Sequence, residues 1–153
     1  MHVFVRNLLA FIAGIFVGSL VNLAIISVGP ALIPLPEGVD LSDMDRFAEN
    51  LKRLAPENFI APWLAHAMGT LAGSIVAARL SVKHSQKMTL AIAAFFEMGG
   101  IVMVTTYGGP PWFVVADLVG AYFPMGILAY LLHLRFCRTL PNPSLTSRSP
   151  GPN

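Results

Sequence analysis

Apolar residues are concentrated in four long stretches of this chain, separated by short polar segments. The stretches cover 8–28, 60–78, 88–107 and 112–134, and each is long enough to cross the hydrocarbon core of a bilayer as an α-helix. The pattern predicts an all-α polytopic membrane protein, with a bundle of four transmembrane helices in one domain over residues 1–140. The composition agrees, because 55% of the residues are hydrophobic and only 12% are charged, about half the charged fraction of a soluble domain.

The connecting segments carry their own signals. Over 41–54, apolar positions recur every three or four residues between charges, which predicts a short amphipathic helix lying on the extracytoplasmic membrane surface. Pro30 and the prolines after it predict that the first helix gives way to extended chain. Pro124 predicts a kink in the fourth helix. The tail, 141–153, is rich in Pro and Ser, so we expect it to be disordered in the cytoplasm.

Charge placement predicts the orientation. Outside the first connecting segment, basic residues occupy the N-terminus, the second connecting segment and the tail, at Arg6, Arg79, Lys83, Lys87, Arg135, Arg138 and Arg148. Short loops rich in Lys and Arg stay on the cytoplasmic side, so we expect both termini there and the acid-rich first connector outside. The positive charge is spread over juxtamembrane segments instead of forming one stripe, and we therefore expect no nucleic-acid partner. The lipid bilayer is the expected surrounding.

Small residues repeat every four positions on the first two predicted helices. The two stripes are Ala10, Gly14 and Gly18, then Ala65, Gly69, Gly73 and Ala77. Such stripes let helix backbones approach closely in lipid. We expect these two faces to hold the bundle together, in preference to serving an oligomer or a pore.

Each apolar stretch also brings a strongly polar side chain to its outer half, namely Asn22, His66, Glu97 and Asp117. At about 1.5 Å per helical residue, Asn22, His66 and Asp117 lie roughly 8–9 Å from the outer helix ends and Glu97 roughly 15 Å. The four side chains therefore share the outer half of the predicted bundle. Two supporting polar residues, Thr70 and Ser74, continue the His66 face at four-residue steps.

Three interpretations of this polar cluster stay open. It can be a neutralised structural hydrogen-bond network, or a site that binds a proton or cation in exchange with the extracytoplasmic side. A zinc or other divalent metal site is the least favoured, because no two ligands share a helix at a spacing such as HxxxH. No catalytic residue, metal or cofactor can be assigned from the sequence.

The stretch from Pro62 to Gly73, preceded by Pro36-Glu37-Gly38-Val39-Asp40, resembles a pattern in small uncharacterised bacterial four-helix integral-membrane proteins. The resemblance covers about half the chain and brings no known activity with it. It implies a bacterial cytoplasmic (inner) membrane location.

Three classes of function follow. The first, which the small size favours, is an accessory or assembly subunit of a larger membrane complex or a homo-oligomer. The second is a proton- or cation-coupled transporter or binding protein that uses the intramembrane cluster. The third is an intramembrane metal-dependent enzyme, which no sequence feature favours.

Overall fold

The computed structural model describes residues 2–138, with the side chains of residues 137 and 138 excepted. Within this range the chain is helical and contains no strand. Four helical segments are long and apolar enough to cross a membrane: Val3–Leu32, Pro56–Leu80, Ser85–Tyr107 and Pro111–Phe136. The prediction of an all-α chain with four bilayer-length helices is confirmed, and the tail predicted to be disordered lies outside the described residues.

The helical elements are, in chain order, α1 (Val3–Leu32), α2 (Phe47–Leu51), a 3₁₀ turn (Pro56–Phe59), α3 (Ile60–Leu80), α4 (Ser85–Tyr107), α5 (Pro111–Gly120) and α6 (Phe123–Arg138). The 3₁₀ turn leads directly into α3. We call residues 33–59, between α1 and α3, the first connector.

The first helix continues through Pro30 to Leu32, so the predicted change to extended chain at Pro30 is wrong. A proline lacks the N–H that would bond the carbonyl four residues earlier, and in the last turn of a helix this loss affects one hydrogen bond. The helix can still end normally, because the Ile33 N–H donates to the Gly29 carbonyl at 2.9 Å. The extended chain begins only at Ile33.

The helix predicted over 41–54 is only five residues long, Phe47–Leu51. Upstream of it, the Asp40 carboxylate accepts a hydrogen bond from the Ser42 N–H at 2.8 Å, and Asp43 caps the following turn in the same way. Short acidic side chains that bond the nearby backbone favour turns over helix, which accounts for the shortened element.

Polar side chains of the first connector donate hydrogen bonds to backbone carbonyls of the same connector. Buried Asn50 donates to the Asp40 carbonyl at 2.6 Å, and buried Asn58 donates to the Pro34 carbonyl at 3.1 Å. The Arg53 guanidinium donates to two further backbone carbonyls of the extended part. The connector is thus an ordered cover over one end of the bundle.

The centre of the bundle is α3, which packs against α1, α4 and α6. Its glycines meet those of α1 without any side chain between them. A Cβ built on Gly14 would lie 2.7 Å from the Gly73 carbonyl oxygen, and one on Gly18 would lie 2.7 Å from that of Gly69. The flanking alanines of both stripes are buried as well: Ala10, Ala65 and Ala77. Both small-residue faces are therefore in contact inside one chain.

The fourth apolar stretch is broken into α5 and α6 at Ala121 and Tyr122. Pro124 has no N–H to offer the Gly120 carbonyl, so a regular helix cannot run through this point. The break lies where the proline predicts a kink. The break begins four residues after Asp117, the acidic residue of α5.

Candidate functional site

The centre of the site is a hydrogen-bonded pair formed by His66 of α3 and Asp117 of α5. The His66 Nδ1 atom lies 2.8 Å from Asp117 Oδ1 and 3.0 Å from Oδ2. Asp117 is only 2% exposed, whereas the His66 side chain is 25% exposed. A carboxylate this deeply buried requires hydrogen-bond donors around it, and His66 supplies one of them.

Tyr122, at the break between α5 and α6, supplies the second donor. Its hydroxyl donates to Asp117 Oδ2 at 3.0 Å and also lies 3.0 Å from His66 Nδ1. The Tyr122 and His66 rings stack, with centroids 5.6 Å apart and an interplanar angle of 27°. We call these three residues the His–Asp–Tyr site.

The hydrogen-bond network constrains the proton positions. With Asp117 ionised and accepting through both oxygens, Nδ1 of His66 carries a hydrogen. Nε2 is then a base in the neutral imidazole and becomes a second donor after protonation.

The surrounding helices hold the three side chains in register. One turn before His66, the Trp63 indole N–H donates to the Ala116 carbonyl at 3.1 Å, which joins α3 to α5 next to Asp117. On the other side, Gly100 of α4 leaves the room that the Tyr122 hydroxyl occupies, because a Cβ there would collide with it. The glycine is thus a positioning residue for Tyr122.

A cavity of about 300 Å³ lies between the first connector and the His–Asp–Tyr site, and we call it the connector cavity. Its cover is formed by Phe47, Leu51 and Leu54 of the connector. His66 and Asp117 belong to its lining. Four aromatic rings line it: Phe47, Phe59, Tyr107 and Phe113.

A second space of about 620 Å³, the side crevice, has walls from α1 and α4. These walls are mostly apolar and include Phe95, Met98 and Val102. Its polar lining residues are Ser19, Asn22, His66 and Tyr122. His66 therefore borders both spaces, and any molecule or proton that reaches it can come from either one.

The four polar residues singled out in the sequence are placed unequally. The structure brings His66 and Asp117 into direct contact, and Asn22 lines the side crevice with His66. Glu97 is half-buried and borders neither space. Within residues 2–138, neither Asn22 nor Glu97 makes a side-chain hydrogen bond.

The two supporting polar residues lie deeper in the helix interface. The Ser74 hydroxyl donates to the Thr89 carbonyl of α4 at 3.2 Å. Thr70 is fully buried, and its hydroxyl has no hydrogen-bond partner in the described part of the chain. Neither residue borders the connector cavity or the side crevice.

A metal site would need at least three ligands close together. Among residues 2–138, no group of three His, Cys, Asp or Glu side chains is arranged to hold a metal ion. The His–Asp–Tyr site offers one free imidazole nitrogen and a carboxylate whose oxygens are already hydrogen-bonded.

Tyr122 is the member of the His–Asp–Tyr site that the sequence pattern did not indicate. It lies five positions after Asp117, and on an unbroken helix the two side chains would point about 140° apart. Pro124, two residues further on, was the available signal, because a helix break there lets both side chains face α3.

Comparisons with known proteins identify no relative: no family model, no curated protein and no solved structure matches the chain. Function is therefore inferred from the residues and their geometry.

Proposed function

We propose that the chain is an integral membrane protein that binds and releases a proton at His66, coupled to occupation of the connector cavity by a small ligand or cation. The observation that carries the proposal is the position of His66. Its Nδ1 is held by the buried Asp117 carboxylate while its ring borders both spaces of the bundle. This arrangement suits a proton-coupled binding protein or transporter.

Membrane insertion is supported by the outer surface of the bundle. Large apolar side chains point away from it, with Phe16 63%, Leu23 61% and Val119 69% exposed. In water such a surface would cause aggregation, whereas in lipid it is the favourable one.

The proposed orientation, with both termini cytoplasmic, is supported by contacts at one end of the bundle. The Arg6 side chain donates to the Leu80 carbonyl at 3.4 Å, so the N-terminus lies beside the second connecting segment. The Arg79 guanidinium lies 5.0 Å from the centre of the Phe136 ring, so the end of α6 is there too. The three basic segments thus share one end, and the positive-inside rule assigns it to the cytoplasm.

The proton chemistry follows from the partners of His66. Two donors, the His66 Nδ1–H and the Tyr122 hydroxyl, stabilise Asp117 as a carboxylate. The Asp117 carboxylate lies 2.8 Å from His66 Nδ1, so a proton bound at Nε2 would leave the pair neutral overall. The site therefore has two states, an anionic one with neutral imidazole and a neutral one with imidazolium.

Trp63 provides the test, because its indole joins α3 to α5 beside the site. In protein carrying Trp112→Phe, so that Trp63 is the remaining tryptophan, its fluorescence is followed between about pH 5 and pH 8, the range in which histidines titrate. We expect a sigmoidal transition that His66→Gln removes and Asp117→Asn alters. The matched control is His84→Gln, which changes an exposed histidine at the opposite end of α3 and should leave the transition intact. An unchanged transition in His66→Gln would overturn the proposal.

Membership in a larger complex, or self-association, is a second proposal that Glu97 favours. This carboxyl is half-buried on a bilayer-length helix without a hydrogen bond from residues 2–138. In hydrocarbon such a group is stabilised by a donor from another chain. The small-residue faces are already used inside the chain, so a partner would have to pack elsewhere. Affinity purification in mild detergent would detect stoichiometric partners or a second copy, and a monomer without partners would contradict this second role.

A further inference from the structure

We propose that the ligand of the connector cavity is a small aromatic or aliphatic organic cation, bound when His66 is neutral and expelled when His66 is protonated. This inference rests on the proposed proton site and adds the chemical class of the ligand. Three observations carry it: the charge of the lining, the arrangement of aromatic rings and the position of His66 between cavity and carboxylate.

The charge of the cavity favours a cation. The four apolar stretches contain no Lys or Arg, and none of the described residues lining the connector cavity is Lys or Arg. Asp117 is the one acidic residue among those described as lining the cavity, so a carboxylate there gives the lining a negative charge as long as His66 is neutral. A negative charge in a poorly solvated space attracts a cation strongly and repels an anion.

The aromatic rings favour an organic cation over a hydrated metal ion. They come in two pairs that border the cavity. Phe47 and Tyr107 have ring centroids 5.0 Å apart at 68°, and Phe59 and Phe113 have centroids 4.7 Å apart at 44°. Ring faces attract ammonium groups and tolerate their alkyl substituents, as in aromatic cages for quaternary ammonium. The volume of about 300 Å³ suits a small ligand, because ligand pockets range from about 300 to 1,000 Å³.

His66 makes the binding depend on pH. Protonation of Nε2 places a positive charge beside the cavity and cancels the charge of Asp117, so proton and cation compete for one carboxylate. If a proton on His66 and a cation in the cavity exclude each other completely, the affinity for the cation falls by about tenfold for each pH unit below the pH at which His66 is protonated. The other titratable groups facing this region are Asp117, Tyr122, Tyr107 and, beyond Tyr122, Glu97. The residues that α1 contributes to the two linings, Ser19, Asn22 and Ile26, are uncharged, and the connector's covering residues are apolar.

The test uses benzyltrimethylammonium, whose charge does not titrate, so any pH dependence belongs to the protein. Binding to the full chain in dodecyl maltoside micelles, which carry no ammonium group, is measured by isothermal titration calorimetry near pH 8 and near pH 5, the two ends of the histidine range. We expect saturable binding at the higher pH and an affinity at least about tenfold lower at the other. The neutral isostere, with carbon in place of the ammonium nitrogen, should bind at least about tenfold more weakly than the cation in the wild type. Equal affinity for cation and isostere would overturn the inference.

Two variants separate the cation site from general hydrophobic binding. Asp117→Asn should lose the preference for the cation, whereas Asp45→Asn, an exposed connector residue, should keep it. Should Asp117→Asn fail to fold, His66→Gln decides: it should bind the cation equally at both pH values, and a wild-type pH dependence in it would contradict the exchange. A pH transition of Trp63 without any cation binding would refute the ligand class and leave the proton site standing. Cation binding by the wild type that does not change with pH would refute the coupling between cation binding and protonation of His66.

Discussion

A methyl group added to Gly100 tests whether Tyr122 is held as the site requires. A Cβ there would collide with the Tyr122 hydroxyl oxygen and lie 3.0 Å from Cζ of the same ring. Tyr122 is 1% exposed and its hydroxyl donates to Asp117, so the ring cannot move away without breaking that hydrogen bond. The neighbouring Gly99 is the matched control, because a Cβ there meets nothing within 4 Å.

The two alanine substitutions should affect the free energy of unfolding differently. Overpacking in a buried contact costs about 1–3 kcal/mol, and losing a hydrogen bond to a charged group costs about 1.5–3 kcal/mol. Since moving the ring relieves part of the overlap, we expect Gly100→Ala to lower the free energy of unfolding by about 2–4 kcal/mol, and Tm by roughly 5–15 °C for a chain of this length. Gly99→Ala should be neutral or stabilise by up to about 1 kcal/mol, because alanine favours helix.

The assay is thermal unfolding in a mild detergent followed by circular dichroism, with the pH transition of Trp63 as a second readout. Gly100→Ala should unfold at lower temperature than the wild type and show a displaced Trp63 transition, while Gly99→Ala should match the wild type in both. Equal melting temperatures for the two variants would refute the packing of Tyr122 against α4 and, with it, the placement of the second donor to Asp117.

Three further predictions concern the connector and the orientation. Hydrogen bonds from the Ser42 hydroxyl, and to a smaller extent from the Ser42 N–H, hold the pKa of Asp40 below 3.8, so Asp40 stabilises the connector above that pH and this contribution is lost as the pH falls through the lowered pKa. Ser42→Ala should raise the pKa of Asp40 in a carboxyl NMR titration, and an unchanged pKa would contradict the hydrogen bond from the hydroxyl. Asn58→Ala removes two hydrogen bonds of a buried side chain and should destabilise by about 1–3 kcal/mol in denaturant unfolding, whereas no change would mean the connector is not fastened there. With the native cysteine replaced by alanine, a cysteine at Asp45 should react with an impermeant maleimide from outside intact cells and one at Lys83 only after permeabilisation, and the reverse pattern would invert the proposed topology.

The parts of the fold that depend on apolar length alone could be predicted from the sequence. A run of about 20 apolar residues has few alternatives to a helix, so the four long helices did not require knowledge of their neighbours. The ends of elements were less predictable, because they depend on single hydrogen bonds. The first helix continues past Pro30, because the proline removes only one hydrogen bond near the helix end. In the connector, Asp40 and Asp43 stabilise turns at positions where the apolar periodicity alone predicts a helix.

The candidate site shows the same division. His66 and Asp117 stand out because charged and polar groups are rare in apolar stretches, and the structure brings them together. The role of Tyr122 depends on the turn of the backbone before Pro124, and the placement of Glu97 depends on how α4 is rotated against α6. Helix rotation and local breaks are decided by packing between helices, which a single sequence does not display.

Nitrogen NMR of protein labelled with ¹⁵N-histidine tests the proton site most directly, with His66→Gln used to assign the signal. We expect His66 to carry hydrogen on Nδ1 and none on Nε2 in alkaline solution, to become imidazolium on acidification, and to lose this tautomer preference in Asp117→Asn. A His66 ring that carries its hydrogen on Nε2, or that stays neutral on acidification, would contradict the proton site.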